Sequence, residues 1–579
     1  MDQRVLDSVM RGMKGQEGQE GEEWNLMGDG RWVREGVSEW MVANWISNRV
    51  FKKVDDVAEG ASIGPEKGER FTGYVWRQTA VFSLLLSFCV DIFVLKNITN
   101  CRIAKLHARG VAKRLGVKDG LIYLPGLPSM TYEDSDQAVF FRQRRYFYYL
   151  SGLNTPDCFV TYHIKCDRLT AWIPPPNYGR SVLYNGQNPT VEEIFAIADF
   201  DSVAYNTELR GALSKYAHRE PGKIYLLHDF QFPAILETIT WPTGETTSLH
   251  SVGSRFDVNS LMPAMNLCRA IKSPYEIKCI RKACDVSALA HKNVLRALRQ
   301  ISNETHVEAI FHATCIFNHA KRQAYGVIAG SGTNASLLHY GTNDADFDQK
   351  QLMVLDAGCE WKNYSSDITR TFPLNGKWTP EAKEIYDLVD QMQRECIAMV
   401  KPGADYRIVD RHAHKVAVRG LMKLGVLRNG TFQEIYEAGA STPFLPHGLG
   451  HYMGLEVHDV VETSSTSLLP HSHIHSPNFR ESETTMPSYA PAILEVNHVL
   501  TVEPGIYFNR DAFERMYLKD PVLKKYINKE ALERYYPVGG VRIEDDLLVV
   551  EGGNEVLSLV PKGEEALRII REGADGLRG

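Results

Sequence analysis

No Cys-x-x-Cys pair occurs among the ten cysteines of this chain, at positions 89, 101, 158, 166, 268, 279, 284, 315, 359 and 396. A chain of 579 residues needs no disulfide staples, so a disulfide-framed fold is excluded. The thiols read as free in a reducing compartment, which makes the cytoplasm the expected location. A basic surplus is also missing. The 65 Lys and Arg against 71 Asp and Glu leave a formal charge of -6, and nucleic acid is not expected as a partner. The basic cluster Arg142-Gln143-Arg144-Arg145, flanked by Phe140-Phe141 and Tyr146-Phe147-Tyr148-Tyr149, reads as a strand with one wet face. Long apolar runs are absent except for Thr79–Leu95, 17 residues that include Asp91. That run is at the short limit for a bilayer span and too deep in the chain for a secretory signal. It is expected to be a buried or interfacial segment rather than a membrane anchor. The sequon Asn97-Ile98-Thr99 beside it has meaning only in a secreted protein.

The length exceeds one ordinary core, so two domains plus appendages are expected. Residues 1–100 read as an atypical extension, disordered in part, with the polar low-complexity stretch Lys14–Glu23. Regular structure is expected from about Ile103. An amphipathic helix from Ala104 is ended by Gly116, a strand covers Gly120 to Leu124, and a turn follows at Pro125-Gly126. Strands and helices alternate to about Met262, giving an α/β domain over 101–262. A boundary near 255–270 is followed by a helix that starts at Ser273-Pro274, with Glu276 behind it, and runs towards Leu298. Helices alternate with Val-, Ile- and Thr-rich strands over the second domain, 263–579. Glu462–Asn497, rich in Ser, Pro and His, reads as a long surface loop whose His471, His473 and His475 are solvated.

Five residues of this second domain carry chemistry. Asp356 sits in Leu355-Asp356-Ala357-Gly358, Asp367 in Ser366-Asp367-Ile368-Thr369-Arg370, and His451 closes His447-Gly448-Leu449-Gly450-His451. Glu503 heads Glu503-Pro504-Gly505, and Glu544 follows Val541-Arg542-Ile543. Four carboxylates with one imidazole suit hard or borderline divalent ions such as manganese. Two dications would balance four carboxylates that otherwise repel one another in a dry pocket. The strands before Asp356 and after Asp367 can pair antiparallel, with Gly358 to Ser365 reversing the chain, so that the two aspartates face each other. The glycines between His447 and His451 disfavour a helix, and no Glu follows the first His as it would in a zincin. A glycine-bent strand that brings backbone close to a ligand fits better. Glu503 stands at a strand end fixed by the Pro-Gly turn. Alternation puts Arg542 and Glu544 on one face, which is compatible with a surface ion pair as well. Taken singly, the aspartates could be turn residues and the histidines structural or exposed.

LDAGCEWKNYSSDITRTFP, PHGLGHYMGLEVHD, TVEPGIYF and GGVRIEDDLLV, with the preceding His339-Tyr340, resemble in order and composition the metal motifs of the Xaa-Pro peptidases, aminopeptidase P and prolidase. Residues 134–152, DSDQAVFFRQRRYFYYLSG, resemble the signature of that family's N-terminal domain. The resemblance implies a creatinase-like α/β domain followed by a pita-bread catalytic domain. It also implies two Mn(2+) ions per subunit, with Asp356 on one, His451 and Glu503 on the other, and Asp367 and Glu544 bridging. A hydroxide shared by the ions would attack the Xaa-Pro carbonyl. Glu503 would double as proton shuttle, His458 would steady the oxyanion, His339 and His447 would line the substrate pocket, and Arg542 would support Glu544. Proline-containing peptides are the implied substrates and a homodimer the implied assembly. The expected activity is release of an N-terminal residue that precedes proline. A prolidase restricted to Xaa-Pro dipeptides is the alternative within the class. Such prolidases resemble one another in an Arg shortly before Glu-Pro-Gly, and the only Arg of that interval here is Arg480, inside the irregular loop. A non-catalytic binding module with the same fold is the alternative outside the class, and it is disfavoured because such relatives lose metal ligands.

Overall fold

The computed structural model describes residues 103–460 and 492–573, together with a short antiparallel pair, Asn25–Leu26 with Trp32–Val33, in the unit Met1–Leu95. Lys14–Glu23, Thr79–Leu95, the sequon at Asn97, most of the His-rich loop with its three histidines, and Arg480 lie outside the described residues.

The first part of the unit Lys96–Gly579 is built on a six-stranded mixed sheet. Its strands are β1 (Leu121–Pro125), β2 (Phe159–His163), β3 (Arg168–Ile173), β4 (Ser202–Tyr205), β5 (Ile224–Tyr225) and β6 (Phe256–Asp257), in the order β6-β5-β1-β2-β3-β4. Helix α1 (Ala104–Leu115) buries Ala104, Ala108, Val111 and Ala112, and Gly116 ends it in the left-handed conformation at φ 69°. The aromatic stretch expected as a strand is instead helix α2 (Arg145–Ser151), closed by Gly152 at φ 66°. Five consecutive residues, Phe147 to Ser151, are buried. With no wet face left, tertiary packing overrides the strand preference of the aromatics. Arg142, expected on that wet face, is also buried, paired with Glu360.

Helix α3 (Leu261–Ala270) crosses the expected boundary and packs on α1. After it, Ser273 and Glu276 form the reciprocal capping box that starts α4 (Pro274–Ala297). Helix α5 (Glu304–Phe317) packs beside α4. Strands β7 (Ile328–Ser331), β8 (Leu352–Asp356) and β11 (Thr369–Pro373) form an antiparallel sheet with β8 in the middle. Between β8 and β11 the chain makes a small hairpin, β9 (Cys359–Trp361) with β10 (Tyr364–Ser365), rather than a plain reversal. Its turn residues Lys362 and Asn363 have φ 50° and 65°, the pattern of a two-residue turn that follows strand twist. Helices α6 (Pro380–Met399) and α7 (Tyr406–Lys423) follow. The remaining strands are β12 (Val499–Val502), β13 (Gly505–Tyr507), β14 (Gly540–Arg542), β15 (Asp545–Val550) and β16 (Gly553–Val556). They pair as β12-β15-β16 and β13-β14, and the last helix is α8 (Gly563–Glu572).

Two apolar layers hold these sheets. On one side Val389, Met392, Val409 and Ala413 of α6 and α7 pack with Leu500, Val502, Ile506 and Val541. On the other, Ala290 and Val294 of α4, Phe311 of α5 and Ile570 of α8 pack with Met353, Leu355 and Phe372.

Candidate metal centre

Asp356 is the last residue of β8, opposite Thr369 in β11, and Asp367 lies two residues before Thr369. The pair is brought close by Gly358, where an added Cβ would stand 1.9 Å from the Ser366 carbonyl oxygen. Glu503 directly follows β12, and Glu544 lies in the break between β14 and β15. His451 is held beside β12: its carbonyl accepts from the Thr501 amide, and its own amide donates to Thr501 Oγ1 at 3.1 Å. This segment runs antiparallel to β12 through the Tyr452–Leu500 bridge without being a regular strand. The glycines of His447–His451 do serve a close approach, but to the neighbouring backbone: a Cβ on Gly450 would lie 2.2 Å from the Thr501 carbonyl oxygen.

Ligand atoms of Asp367, His451 and Glu544 all lie within 4.8 Å of one another. His451 Nε2 is 3.4 Å from Asp367 Oδ2 and 3.4 Å from Glu503 Oε1. Asp356 joins through Tyr325, whose hydroxyl donates to Asp356 Oδ1 at 2.6 Å. Burial first, then neighbouring carboxylates, hold the carboxyls of Asp367, Glu503 and Glu544 well above their usual range. Glu544 Oε1 is buried with no hydrogen-bond partner. His451 Nδ1 lies 3.0 Å from the Tyr452 carbonyl, to which it donates, so the Nε2 lone pair faces the carboxylates. Burial lowers the His451 pKa and keeps the ring neutral. Crowded acids, an unpartnered oxygen and a neutral imidazole turned lone pair inward form a donor set that fits divalent cations.

Around this set, Arg542 reaches three side chains. Its Nη2 donates to Asp356 Oδ2 at 2.7 Å, its Nη1 to the Tyr507 hydroxyl at 2.8 Å, and its Nε to Thr369 Oγ1 at 3.2 Å. Thr369 in turn donates to Glu544 Oε2 at 2.6 Å, so Arg542 reaches Glu544 only through that hydroxyl. Arg542 and Glu544 are both buried, which rules out a surface pair. His447 Nδ1 donates to the Gly448 carbonyl at 2.8 Å, and its Nε2 takes the Tyr507 hydroxyl at 2.9 Å. Burial and the Arg542 charge lower its pKa to about 3. His458 is exposed, with its ring 4.3 Å from that of His451. Proximity to the His451 imidazole, which repels a second protonated ring, and partial desolvation lower the His458 pKa to about 4. His339 is exposed, near enough to lower both His447 and His458 further. All nine expected residues thus converge: the four acids, the His451 imidazole and Arg542 inside, His447 half-buried beside them, and His339 and His458 exposed at the rim.

Sequence reasoning missed Tyr325, Thr369, Tyr507 and Asp546. Thr369 lies two residues from Asp367, where strand alternation puts it on the same face, and that signal was available. Asp546 Oδ2 accepts from the Asp367 amide at 3.0 Å and from the Cys284 thiol at 3.2 Å, and burial pushes its carboxyl up to about 8. Nothing local marks Tyr325.

Residues 278–551 match the model of metallopeptidase family M24, and residues 102–225 match that of the aminopeptidase P N-terminal domain. A probable Xaa-Pro aminopeptidase of Sclerotinia sclerotiorum is 57% identical over 484 residues, covering 82% of this chain and 86% of its own. The chain belongs to metallopeptidase family M24. A second relative of this M24 peptidase, a probable Xaa-Pro aminopeptidase of Botryotinia fuckeliana, is 56% identical over 483 residues, covering 82% of this chain and 86% of its own. Among solved structures, aminopeptidase P of E. coli with the inhibitor Pro-Leu matches with a TM-score of 0.63 at 25% identity, covering 80% of this chain and 97% of the other. The zinc-substituted E. coli enzyme in complex with product matches with a TM-score of 0.63 at 26% identity, with the same coverage. The M24 chain therefore has the expected α/β make-up, an aminopeptidase P N-terminal domain before a pita-bread catalytic domain, and a divalent metal cofactor goes with the family. Among its described residues, no helix is long and apolar enough to cross a membrane.

Proposed function

We propose that this M24 peptidase is a two-manganese aminopeptidase that hydrolyses the bond between an N-terminal residue and a penultimate proline. The observation that carries the reading is the convergence, from four separate chain segments, of Asp367, His451, Glu503 and Glu544, with the Asp356 charge acting on Asp367 and Glu544 and with one buried Glu544 oxygen unpartnered. The names of its relatives support the substrate class. Four acids match the charge of two dications; Asp356 would hold one ion, His451 and Glu503 the other, and Asp367 and Glu544 would bridge. When bound, the ions would supply an activated water and a Lewis acid for the scissile carbonyl. Glu503, kept dry, accepts the proton released by the attack and returns it to the departing proline nitrogen. His458 donates to the oxyanion, while His339 and His447 line the substrate's path. The proposal includes the domain division 101–262 and 263–579 after an extension at 1–100. It also includes a cytoplasmic location, supported by eight described cysteines that are all free, and a homodimer, which rests on the family resemblance.

The test is a peptide-length series with added manganese. Faster turnover of Xaa-Pro-Pro than of Gly-Pro is expected, and cleavage of the dipeptide alone would sink the aminopeptidase reading in favour of a prolidase. Asp367→Ala or Glu544→Ala should abolish turnover, because each would serve both ions. Substantial residual activity would mean the ligand set is wrong.

A further inference from the structure

The segment His451–Asp459 carries both the ligand His451 and the rim histidine His458, and cations from outside the catalytic sheets grip it at three points. Arg142, before α2, donates through Nη2 to the Leu455 carbonyl at 2.6 Å, and to Glu360 Oε1 at 2.6 Å and the Asn363 carbonyl at 3.2 Å in the β9–β10 hairpin. Arg145 in α2 pairs with Glu456. Arg269 in α3 pairs with Asp459 Oδ1, and Lys272 Nζ donates to Asp459 Oδ2 at 3.1 Å.

The last cluster is sealed: Arg269 is 3% exposed, Lys272 1% and Asp459 1%. Lys272 also donates to the carbonyls of Arg269 at 2.7 Å and Ala270 at 3.4 Å, so all three of its ammonium hydrogens have an acceptor. The Arg269 guanidinium lies 4.3 Å over the Tyr146 ring, which ties α2 to α3. Gly454 makes room for the cluster, since a Cβ there would fall 2.6 Å from Asp459 Oδ2 and 2.8 Å from Lys272 Cε. The Asp459 amide donates to the Tyr452 carbonyl at 2.8 Å, so fixing the carboxylate fixes the turn on which His458 stands. Glu276, also buried, adds a second carboxylate beside Lys272, so two buried cations face two buried acids. Buried ion clusters are often no more stabilising than apolar packing but do define a register.

We infer that Arg142, Arg145, Arg269 and Lys272 are positioning residues, through which the part of the chain before α4 holds His458 at its working place. This rests on the role assigned above to His458. The hydrogen bonds end on backbone carbonyls and on the carboxylates of Glu360, Glu456 and Asp459, all outside the proposed ligand set, so the cations act on His458 by holding its segment and the charge of Glu456 beside it.

The test combines Lys272→Met with His458→Ala in a double-mutant cycle, with kcat, KM and bound metal measured on an Xaa-Pro-Pro peptide in full-length protein. Lys272→Met is expected to lower kcat about 10–100-fold, with KM and metal content held and with Lys272→Arg recovering most of the rate. In the His458→Ala background it should cost nothing further. An equal proportional loss in both backgrounds, or a loss that follows metal content, would overturn the inference. If Lys272→Met does not fold, Arg145→Gln, at a partly exposed pair, must show the same pattern, and additive behaviour there overturns it equally. Should the wild-type enzyme prove inactive on every Xaa-Pro peptide, the function fails separately. The inference then stands or falls on amide hydrogen exchange of residues 452–459, expected to quicken in Arg145→Gln and refuted if unchanged.

Discussion

Thr369→Val replaces a fully buried hydroxyl by a methyl of nearly the same shape, so it tests polar contacts without opening a cavity. Thr369 Oγ1 donates to Glu544 Oε2 at 2.6 Å and accepts from Arg542 Nε at 3.2 Å. A hydrogen bond to an ionised group contributes about 1.5–3 kcal/mol, and two are lost. Arg542 keeps Asp356 and Tyr507, so most of the penalty falls on Glu544, whose other oxygen already has no protein partner. The expected cost is therefore about 3 kcal/mol, near the low end of the two-bond range. Expressed in metal binding, that is on the order of 100-fold in affinity, at about 1.4 kcal/mol per tenfold. Competition against a metal-sensitive chelating dye measures the affinity, and kcat/KM at saturating manganese tells whether activity returns once the site is filled. Thr369→Ser should restore binding. Wild-type metal affinity in Thr369→Val would refute the argument that this hydroxyl orients Glu544.

Two further perturbations follow from the same geometry. Gly358→Ala forces a Cβ to within 1.9 Å of the Ser366 carbonyl oxygen, between the two aspartates. It should lower stability by about 1–3 kcal/mol and metal content with it; a fully loaded, wild-type-stable variant would show that Asp356 and Asp367 tolerate separation. Chelation should make stability depend on pH in one direction. The carboxyls of Asp367, Glu503 and Glu544 are raised in the metal-free fold, so the folded state holds their protons more tightly than the unfolded state. Their contribution is fully present below the unfolded value of about 4. It is lost as pH rises towards the folded values, by about 1.4 kcal/mol for each unit of each shift. Metal relieves that loss, so the gap in Tm between loaded and chelated protein should widen from pH 5 to pH 8. Calorimetry showing a narrowing gap would contradict the assignment.

Three of the proposed ligands were legible because each stands beside a local backbone signal. Asp356 precedes Ala-Gly at a strand end, Glu503 precedes Pro-Gly, and His451 closes a glycine-rich segment that no helix would accept. The start of α4 was legible for the same reason, since its capping box closes within four residues. What stayed hidden depends on pairings far apart in the chain. Arg142 and Glu360 are 218 positions apart, and Arg542 and Asp356 are 186 apart. Alternation in the β14–β15 region could place Arg542 and Glu544 on one face, but not reveal that β11 inserts Thr369 between them. The α2 helix shows the same limit in a fold element: its aromatics carry strand propensity, and only the neighbours that bury Phe147 to Ser151 decide for helix. A site assembled this way inherits its geometry from the register between sheets rather than from any one strand. The proposed ligands are thus held by Thr369, Tyr325 and Arg542, and metal binding at this site is expected to depend on correct pairing of β8, β11, β12 and β14.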